Sequence, residues 1–204
     1  MADYKKPDHW QQKAHKEGYP ARSVYKLQEI EEKYALFKFS RSSGIRILDL
    51  GAAPGSWSLY VLRKIKHGFL AAADLSPLSR EYDKGLFDGA NFFFIQGDIT
   101  TQEVRETLLA KGPYTLIISD AAPATTGNNM VDAARSLELA ETVLAYAENA
   151  LTPGGNLVLK IFQGSDSADL LKKMKTLFKT AKSFKPQACR GESVETYYIG
   201  LEKT

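Results

Sequence analysis

The ten residues Asp49–Ser58 read DLGAAPGSWS and follow the apolar run IRIL, as a glycine turn follows a buried strand. Such a turn usually opens a nucleotide site, and binding a dinucleotide requires three glycines spaced G-x-G-x-x-G. Only Gly51 and Gly55 are present here. Pro54 has no N–H to offer a phosphate, and Asp49 adds negative charge at the base of the turn. The stretch therefore favours a cationic ligand without phosphate, such as S-adenosylmethionine.

The composition predicts one soluble α/β domain. The chain has 204 residues, of which 44% are apolar and 25% charged, and a net charge of +3. This mild charge means that nucleic acid would bind through local patches. A single cysteine excludes an internal disulfide and suits a reducing compartment. The N-terminus has no apolar segment, and no run approaches the roughly 20 apolar residues of a membrane span. We expect no signal peptide, no membrane contact and a cytoplasmic location.

Apolar runs alternate with helical patterns, which indicates βαβ units and a mostly parallel sheet. The predicted strands are 45–50, 69–74, 91–96, 114–119 and 156–161. The predicted helices are 21–35, 58–66, 101–111, 131–151 and 167–179. The chain ends in two further strands without a helix between them, 182–188 and 196–202. A final antiparallel hairpin is typical of the Rossmann-like class I methyltransferase fold with seven strands. We expect a single domain, 1–204, with an N-terminal segment, 1–40, and a catalytic core, 41–204.

Polar residues follow the predicted strands at the edge where ligands of open α/β sheets bind. Asp49, Asp74, Asp98 and Asp120 follow the first four strands, and Lys160 lies near the end of the fifth. Asp74 and Asp98 could contact a ribose and an adenine, but they could equally cap the helices that follow them. Lys160 interrupts an apolar strand, where a lysine is costly unless it is paired or functional.

Five motifs share their order and spacing with a known family: KEGYPARSVYKLQEI, DLGAAPGSWS, SDAAP, LVLKIFQG and SVETYYIG. Together they resemble the FtsJ/RrmJ family of RNA ribose 2′-O-methyltransferases over nearly the whole chain. The resemblance implies a seven-stranded methyltransferase sheet, S-adenosylmethionine as donor, and attack of a ribose 2′-oxygen on the sulfonium methyl. It also implies a catalytic set, which falls here on Lys26, Asp120, Lys160 and Glu195. We expect Lys160 and Asp120 to polarise the hydroxyl, with Lys26 and Glu195 steering the ribose.

The donor site predicted from the loop and from the resemblance comprises Asp49, Gly51, Gly55, Trp57, Asp74, Asp98 and Asp120. Trp57 could instead be core packing, and Gly51 could serve only a turn. Ser56 departs from the family, which commonly has a second glycine after PG; a serine fits there if its φ is negative. Glu192 is a rival to Glu195, but only Glu195 matches the S-x-E-x-Y pattern.

An RNA substrate requires basic surface, and two lysine-rich segments could supply it. The predicted RNA-binding residues lie in the N-terminal segment, with Trp10 and Tyr19 available for base stacking: Lys5, Lys6, Lys13, Lys16 and Arg22. A second cluster is as well explained as a solvated surface: Lys172, Lys173, Lys175, Lys179, Lys182 and Lys185. The three histidines are scattered, so we expect no metal site.

The compact chain resembles the enzymes that methylate a uridine of large-subunit (23S) ribosomal RNA, and a monomer is the default expectation. Enzymes that methylate the anticodon loop of transfer RNA share the same motifs, so transfer RNA remains an alternative substrate. A noncatalytic RNA-binding module would have lost a catalytic position, yet all four are filled. A nicotinamide dehydrogenase is disfavoured by Pro54 and the missing glycine, and a small-molecule methyltransferase leaves the basic N-terminal segment unexplained.

Overall fold

A computed structural model describes residues 9–37, 44–65, 67–164, 167–190 and 193–204. These residues form a seven-stranded sheet with the order β3-β2-β1-β4-β5-β7-β6. Strands β1 to β5 are mutually parallel, whereas β7 is antiparallel to both β5 and β6. The predicted class I methyltransferase fold with its C-terminal antiparallel hairpin is confirmed. The strands are β1 Ile45–Leu50, β2 Gly68–Asp74, β3 Phe92–Gln96, β4 Tyr114–Ser119, β5 Leu151–Phe162, β6 Phe178–Phe184 and β7 Glu195–Lys203.

Helices cover both faces of the sheet. They are α1 His9–Lys16, α2 Val24–Tyr34, α3 Ser56–Lys64, α4 Gln102–Ala110, α5 Asn129–Ala150 and α6 Ser167–Leu177. One core forms between α1–α3 and the sheet, and the other forms between α4–α6 and the opposite face. Strands β1 and β4 are buried on both faces, which explains why their sequences lack two-residue alternation. Among the described residues, no helix is both long and apolar enough to cross a membrane.

The structure corrects the predicted start and end of β6. The strand spans Phe178–Phe184 and not 182–188, and α6 ends two residues earlier than predicted. Phe178 is buried and paired with Lys203, so β6 begins at a residue that the sequence predicts to be the continuation of a helix. At the other end, the N–H groups of Gln187 and Ala188 donate to the Glu29 carboxylate at 2.7 and 2.8 Å. Because Glu29 on α2 accepts these two hydrogen bonds, the N–H groups are not available to extend the strand by pairing with β7.

Helix α1 is a further difference, since residues 9–16 carry no predicted element. Their sequence, HWQQKAHK, is polar and buries only Ala14 fully, so apolar periodicity is too weak to reveal the helix. The helix is held to the rest of the protein by aromatic contact, with the Trp10 and Tyr25 ring centroids 5.1 Å apart. Helix α1 therefore packs directly against α2.

The order of the strands places a crevice at the centre of the sheet. The chain runs outward from β1 to β3, then returns to place β4 beside β1 on its other side. The loops after β1 and β4 therefore leave the sheet in opposite directions, and a cleft opens between them at the carboxyl edge. Except for Trp57, which lies in α3, the predicted catalytic and donor-site positions from Asp49 to Lys160 belong to this edge or to the loops that leave it.

Candidate active site

The turn after β1 depends on glycine because another loop passes very close to it. Gly51 has a φ of +78°, in the left-handed region that disfavours other residues. A Cβ on Gly51 would lie 2.5 Å from the Cα of Ala121, in the loop that follows β4. Gly51 therefore does more than complete a turn, since it allows the β1 and β4 loops to approach each other at the crevice.

The N–H groups of this turn are already used within the protein. The first two donate to the Ala73 carbonyl at 2.9 and 3.1 Å. The third, from Ala53, donates to Oδ2 of Asp74 at 2.9 Å. The N–H of Gly55 donates to the Ala52 carbonyl at 2.7 Å, and the proline between them has no N–H. None of these groups is left to hold a phosphate, which is the physical reason why this turn differs from a dinucleotide-binding one.

A cleft of about 380 Å³ lies over the turn. Its volume falls within the range of about 300–1,000 Å³ that is usual for small-molecule sites. Three carboxylates and one ammonium line it, with apolar surface from Leu75 and Ile99: Asp74, Asp98, Asp120 and Lys160. The excess of negative charge suits a cationic ligand, and the apolar side chains suit a planar ring.

Asp74 and Asp98 have a structural role and also line the cleft. Asp74 accepts hydrogen bonds from the N–H groups of Ala53 and Ser76, which fixes the ends of the turns after β1 and β2. Asp98 accepts from both the N–H and the hydroxyl of Thr100 at 2.8 Å. The two explanations offered by the sequence are therefore compatible for these residues, because the local hydrogen bonds hold each carboxylate at the cleft.

Asp49 lies beneath the cleft and does not line it. Its side chain is fully buried, and Oδ2 accepts a hydrogen bond from the Ser58 hydroxyl at 2.7 Å. Oδ1 is buried without a hydrogen-bond partner among the described residues. Burial raises the pKa of Asp49 to about 7, with Asp120 and Asp74 adding to the rise and the Ser58 hydrogen bond opposing it. An additional positive charge above the turn would stabilise the ionised form.

Trp57 and Gly55 also lie outside the lining of the cleft. Trp57 is only 2% exposed, and its indole N–H donates to the Ser23 carbonyl at 2.8 Å. The ring therefore lies under the turn, and its position favours core packing over the predicted contact with the donor. Gly55 has a φ of +108° and precedes α3 as its N-cap residue, and a Cβ there would lie 2.9 Å from the Phe87 ring.

Ser56, the residue that departs from the resembled family, has a definite partner. It is the first residue of α3, almost fully buried, and its hydroxyl accepts a hydrogen bond from the Ala21 N–H at 2.9 Å. Together with the Trp57–Ser23 hydrogen bond, this contact fixes the segment before α2 onto the turn after β1. The serine therefore fits the turn and adds an anchor for the N-terminal segment.

The four residues predicted to be catalytic come together as two ion pairs. The Lys160 ammonium lies 3.1 Å from Oδ1 of Asp120, and the Lys26 ammonium lies 2.9 Å from Oε2 of Glu195. The exposed fractions of these side chains lie between 9% and 17%. Residues 191 and 192 lie outside the described part of the chain, so the rival Glu192 is not placed.

Strand register explains how residues so far apart in sequence meet. Asp120 follows β4 directly, and β4 is paired with β5, which carries Lys160. On the other side of β5, Lys160 is opposite Tyr197 and Phe162 is opposite Glu195 in β7. The antiparallel hairpin therefore brings Glu195 to the same edge at which β4 ends.

Tyr197 is a member of the site that the sequence reasoning did not identify. Its hydroxyl donates to Oδ1 of Asp120 at 2.6 Å, and its ring is completely buried. The Lys26 ammonium lies 5.9 Å from the centroid of that ring. Burial raises the pKa of Tyr197 well above its ordinary value, and Asp120 raises it further. The signal was available, because in an antiparallel pair the residue opposite Lys160 points to the same side.

The charges of the site compensate one another. Burial alone would raise the pKa of Asp120, but Lys160 and Lys26 outweigh it, so the pKa is lowered. Burial alone would lower the pKa of Lys26, but Asp120 and Glu195 outweigh it, so the pKa is raised. Asp120 is thus held as a carboxylate and Lys26 as an ammonium. Within the described part of the chain, no group of His, Cys, Asp and Glu side chains could hold a metal ion.

A second cleft of about 300 Å³ lies on the other side of the Lys26–Glu195 pair. Arg22 and Arg190 contribute to its lining, and Ser23 lines both this cleft and the one over the turn. The Arg22 guanidinium donates to the Ala188 carbonyl, so this predicted RNA-binding residue is also structural. The four residues predicted to be catalytic thus lie between one acidic cleft and one cleft with two arginines.

The remaining predicted RNA-binding lysines are distributed unevenly. Lys13 and Lys16 are exposed on α1, and the Lys13 ammonium lies 4.6 Å from the Tyr25 ring centroid. Lys5 and Lys6 lie outside the described residues. Tyr19 is buried, with the Arg63 guanidinium 4.4 Å from its ring centroid, so it does not offer a free face for stacking.

Much of the C-terminal lysine cluster is engaged in surface ion pairs. Lys172 pairs with Asp169 at 2.7 Å, and Lys173 pairs with Glu148 at 2.9 Å. Lys179 pairs with Glu202 at 2.8 Å. These contacts favour the explanation that this part of the chain is an ordinary solvated surface.

Comparison with known proteins agrees with the fold and with the site. Residues 19–203 match the family model of FtsJ-like methyltransferases. The ribosomal RNA large subunit methyltransferase E of Treponema denticola is 51% identical over 201 residues, covering 98% of this chain and 96% of that protein. The protein of the same name from Borreliella afzelii is 43% identical over 193 residues, covering 95% and 96%.

Solved structures give the same result. A crystal structure described as a ribosomal RNA methyltransferase from Plasmodium falciparum superposes with a TM-score of 0.73 at 26% identity, covering 91% of this chain and 98% of that one. Agreement in sequence along almost the full length, and in fold, makes this chain a member of the FtsJ-like methyltransferase family.

Proposed function

We propose that this protein transfers a methyl group from S-adenosylmethionine to a ribose 2′-oxygen in large-subunit ribosomal RNA, on a uridine. The observation that carries the proposal is the position of Lys26, Asp120, Lys160 and Glu195 between two clefts of different charge. The relatives from Treponema and Borreliella carry the name ribosomal RNA large subunit methyltransferase E.

The acidic cleft has the chemistry that this donor requires. S-adenosylmethionine, when bound, supplies an electrophilic methyl group on a cationic sulfur. Asp74 and Asp98 would accept hydrogen bonds from ribose hydroxyls and an adenine amino group, with Leu75 and Ile99 against the ring. The buried Asp49, with one oxygen unpaired, adds negative charge below the turn where the cationic end would lie. A phosphate-bearing cofactor would find these carboxylates and no available turn N–H.

Lys160 and Asp120 are placed to act on the hydroxyl that loses its proton. Both line the donor cleft, and they touch each other at 3.1 Å. Lys160, once its ammonium group has lost a proton to solvent, would hold the hydroxyl as a neutral amine and take up its proton while the oxygen bonds to the methyl carbon and the carbon–sulfur bond breaks, with Asp120 fixing the position of its Nζ. A positioned acid or base of this kind contributes about 10²–10⁴-fold to a rate.

Lys26 and Glu195 face the second cleft, where the RNA would enter. Their ion pair borders Arg22 and Arg190, which could hold the phosphates on either side of the target ribose. Tyr197 joins the two ion pairs, since its hydroxyl binds Asp120 and its ring lies beside Lys26. Movement of the Lys26–Glu195 pair would therefore be transmitted to the Lys160–Asp120 pair.

The predicted RNA surface, cellular location and oligomeric state form part of the same proposal. Lys13 and Lys16 are exposed on α1, which packs on the helix that carries Lys26. RNA held by α1 would thus be guided toward the catalytic set. We also propose a monomer that acts in the cytoplasm, where ribosomal subunits are its substrate.

The proposal is tested by mapping the methylated nucleotide. Large ribosomal subunits and total transfer RNA from cells lacking this protein are incubated with it and with methyl-labelled S-adenosylmethionine. We expect label in large-subunit RNA, at one nucleotide whose 3′ linkage becomes resistant to alkali. Label confined to transfer RNA would refute the substrate, and donor binding with no label in either RNA would refute the enzyme activity. A Lys160→Ala protein serves as the inactive control.

A further inference from the structure

A crevice of about 500 Å³, larger than either cleft above, lies between the first turns of α5 and the residues that follow β5. None of the proposed catalytic or donor-binding residues lines it. Its walls include an aromatic ring, a thioether and small apolar side chains: Met130, Ala133, Ala134, Leu137 and Phe162. The polar residues that line it are Asn129, Gln163 and Ser167.

The crevice is connected to the catalytic set through β5. Phe162 is two residues beyond Lys160 on that strand, and it is paired with Glu195 in β7. The next residue, Gln163, donates its N–H to the Val194 carbonyl at 2.9 Å. A polynucleotide with one ribose at Lys160 and Glu195 would therefore extend past Phe162 in one of its two directions.

The lining has the chemistry of a nucleobase site. Met130 is 83% exposed, which is unusual for a large apolar side chain on a helix that otherwise packs against the sheet. Its thioether and the Phe162 ring offer apolar surface to a flat ring, and single-stranded RNA is commonly bound by stacking of its bases on such side chains. The amides of Asn129 and Gln163 could pair with a base edge. No charged side chain is among the lining residues that the structure describes.

Hydrogen bonds hold the walls in place. The Ser136 hydroxyl on α5 accepts from the Phe162 N–H at 2.9 Å, which joins the two walls below the opening. Asn128 caps α5 by accepting from the N–H groups of Met130 and Val131. A Cβ on Gly164 would lie 2.8 Å from the Cβ of Ala133, so the residue after Gln163 must be small for the walls to approach. The crevice is therefore a formed site.

We propose that this crevice holds an unstacked base of the substrate RNA, from a nucleotide adjacent to the methylated one. The inference rests on the proposed function and deepens it, because it assigns a second contact that selects the sequence or shape around the target. The base enters between Met130 and Phe162, and its edge pairs with the two amides. The position of Phe162, two residues from Lys160 on β5 and paired with Glu195, favours RNA over a protein segment or a second copy of the chain.

The first test fills the crevice without changing the catalytic set. Ala134→Phe places a ring in the crevice from an exposed position on α5. Ala110→Phe is the matched control, since Ala110 is exposed at the end of α4 and lines neither this crevice nor the two clefts. We expect Ala134→Phe to raise KM for large ribosomal subunits at least about tenfold, as loss of one stacked base would. Donor affinity and the melting temperature should match those of Ala110→Phe.

The second test locates the occupant. The photoreactive residue p-benzoylphenylalanine is introduced in place of Val131, an exposed residue next to Met130 that does not line the crevice, or, as control, Ala110, and the protein is irradiated on large ribosomal subunits. We expect a crosslink from position 131 to a nucleotide within one or two positions of the methylated ribose, and none from position 110.

Each outcome decides the matter. Equal KM values for the two phenylalanine variants, or a crosslink from position 131 to a ribosomal protein, to a second copy of the chain or to a distant nucleotide, would overturn the base site. Methylation of the subunit by the unmodified protein is measured in the same experiment. Its absence would refute the proposed function, whereas its presence with no effect at Ala134 refutes the crevice alone.

Discussion

The ammonium of Lys160 lies 3.1 Å from Oδ1 of Asp120, at a point where two neighbouring strands end and a third strand returns. Lys160 also donates to the backbone carbonyl of Asp120. Two contacts from one ammonium to one residue fix its position beside the donor cleft. A buried lysine is costly in an apolar strand unless it is paired in this way.

Replacing Lys160 by alanine should therefore abolish most turnover while leaving the donor site intact. We expect kcat to fall by about 10²–10⁴-fold, the usual contribution of a positioned acid or base. The dissociation constant for S-adenosylmethionine, measured by calorimetry, should change by no more than about threefold. This is less than the tenfold change that about 1.4 kcal/mol of binding free energy would produce. Lys172→Ala, at an exposed ion pair, is the control. Near-normal turnover by Lys160→Ala would rule out its proposed role.

Two glycines with the same backbone conformation distinguish strain from close contact. Gly51 and Gly154 have φ values of +78° and +77°, but a Cβ would meet Ala121 only at Gly51. Gly154→Ala should cost about 1–2 kcal/mol of unfolding free energy, the usual strain of a left-handed residue. Gly51→Ala should cost more, and donor should no longer raise its melting temperature. Equal losses of stability, with donor stabilisation kept in both, would show that the close approach to Ala121 is unimportant.

Trp57 can be tested separately as support or as a donor contact. Trp57→Phe keeps an aromatic ring in the core and removes the hydrogen bond to the Ser23 carbonyl. We expect a loss of about 1–3 kcal/mol in unfolding free energy, because the Ser23 carbonyl loses its donor and the smaller ring fills less of the core. Donor affinity should remain within about twofold of the original, since the ring does not line the cleft. A large loss of donor affinity at unchanged stability would restore the donor-contact role expected from the sequence.

The sequence was sufficient to predict the fold because its two signals, apolar runs for strands and helical spacing of apolar residues for helices, are both local. Apolar runs without alternation indicate strands covered on both faces, and β1 and β4 occupy the predicted positions. The end of β6 was missed for a non-local reason, since Glu29 lies 158 residues from Gln187 along the chain and takes its N–H. Helix α1 was missed because a short polar helix leaves little apolar periodicity.

The site was predictable where a strand end or a motif carries the residue. Asp120 and Lys160 end neighbouring strands, so their contact follows from the order of the sheet. Tyr197 was within reach of sequence reasoning through its pairing with Lys160, whereas the true position of Trp57 depends on packing between side chains, which spacing alone does not reveal. The crevice beside Phe162 was also not predicted, because its walls come from α5 and the end of β5, which are distant in sequence and meet only on folding, through contacts such as the Ser136 hydrogen bond.

Binding of RNA by α1 should depend on salt and on Lys16. The affinity for large-subunit RNA should fall steeply with added salt, because each phosphate contact releases counterions. Lys16→Gln should weaken binding and reduce the slope of log K against log salt by about 1. Lys172→Gln is the control, because that lysine is paired with Asp169 on another surface. Equal slopes for the two variants would exclude Lys16 from the RNA contact.

Asp49 should make stability depend on pH. Its pKa is about 7 in the folded protein against an ordinary value of 3.8, so the folded state holds this proton more tightly. The stabilisation is fully present below pH 3.8 and is lost as pH rises from there to about 7. The loss is at most about 4 kcal/mol, at about 1.36 kcal/mol for each unit of pKa. Denaturant titrations at pH 5 and pH 8 should show Asp49→Asn losing less stability than the original protein over this interval.

The same carboxyl group should couple donor binding to pH. A cationic donor above the turn favours the ionised Asp49, so binding expels its proton and affinity rises as pH increases through 7. We expect the dissociation constant to fall several-fold between pH 6 and pH 8 in the original protein, and to change little in Asp49→Asn. Calorimetry in two buffers of different ionisation enthalpy would detect the released proton directly. If both proteins bind donor with the same pH dependence, Asp49 does not sense the donor's charge and its raised pKa is only a consequence of burial.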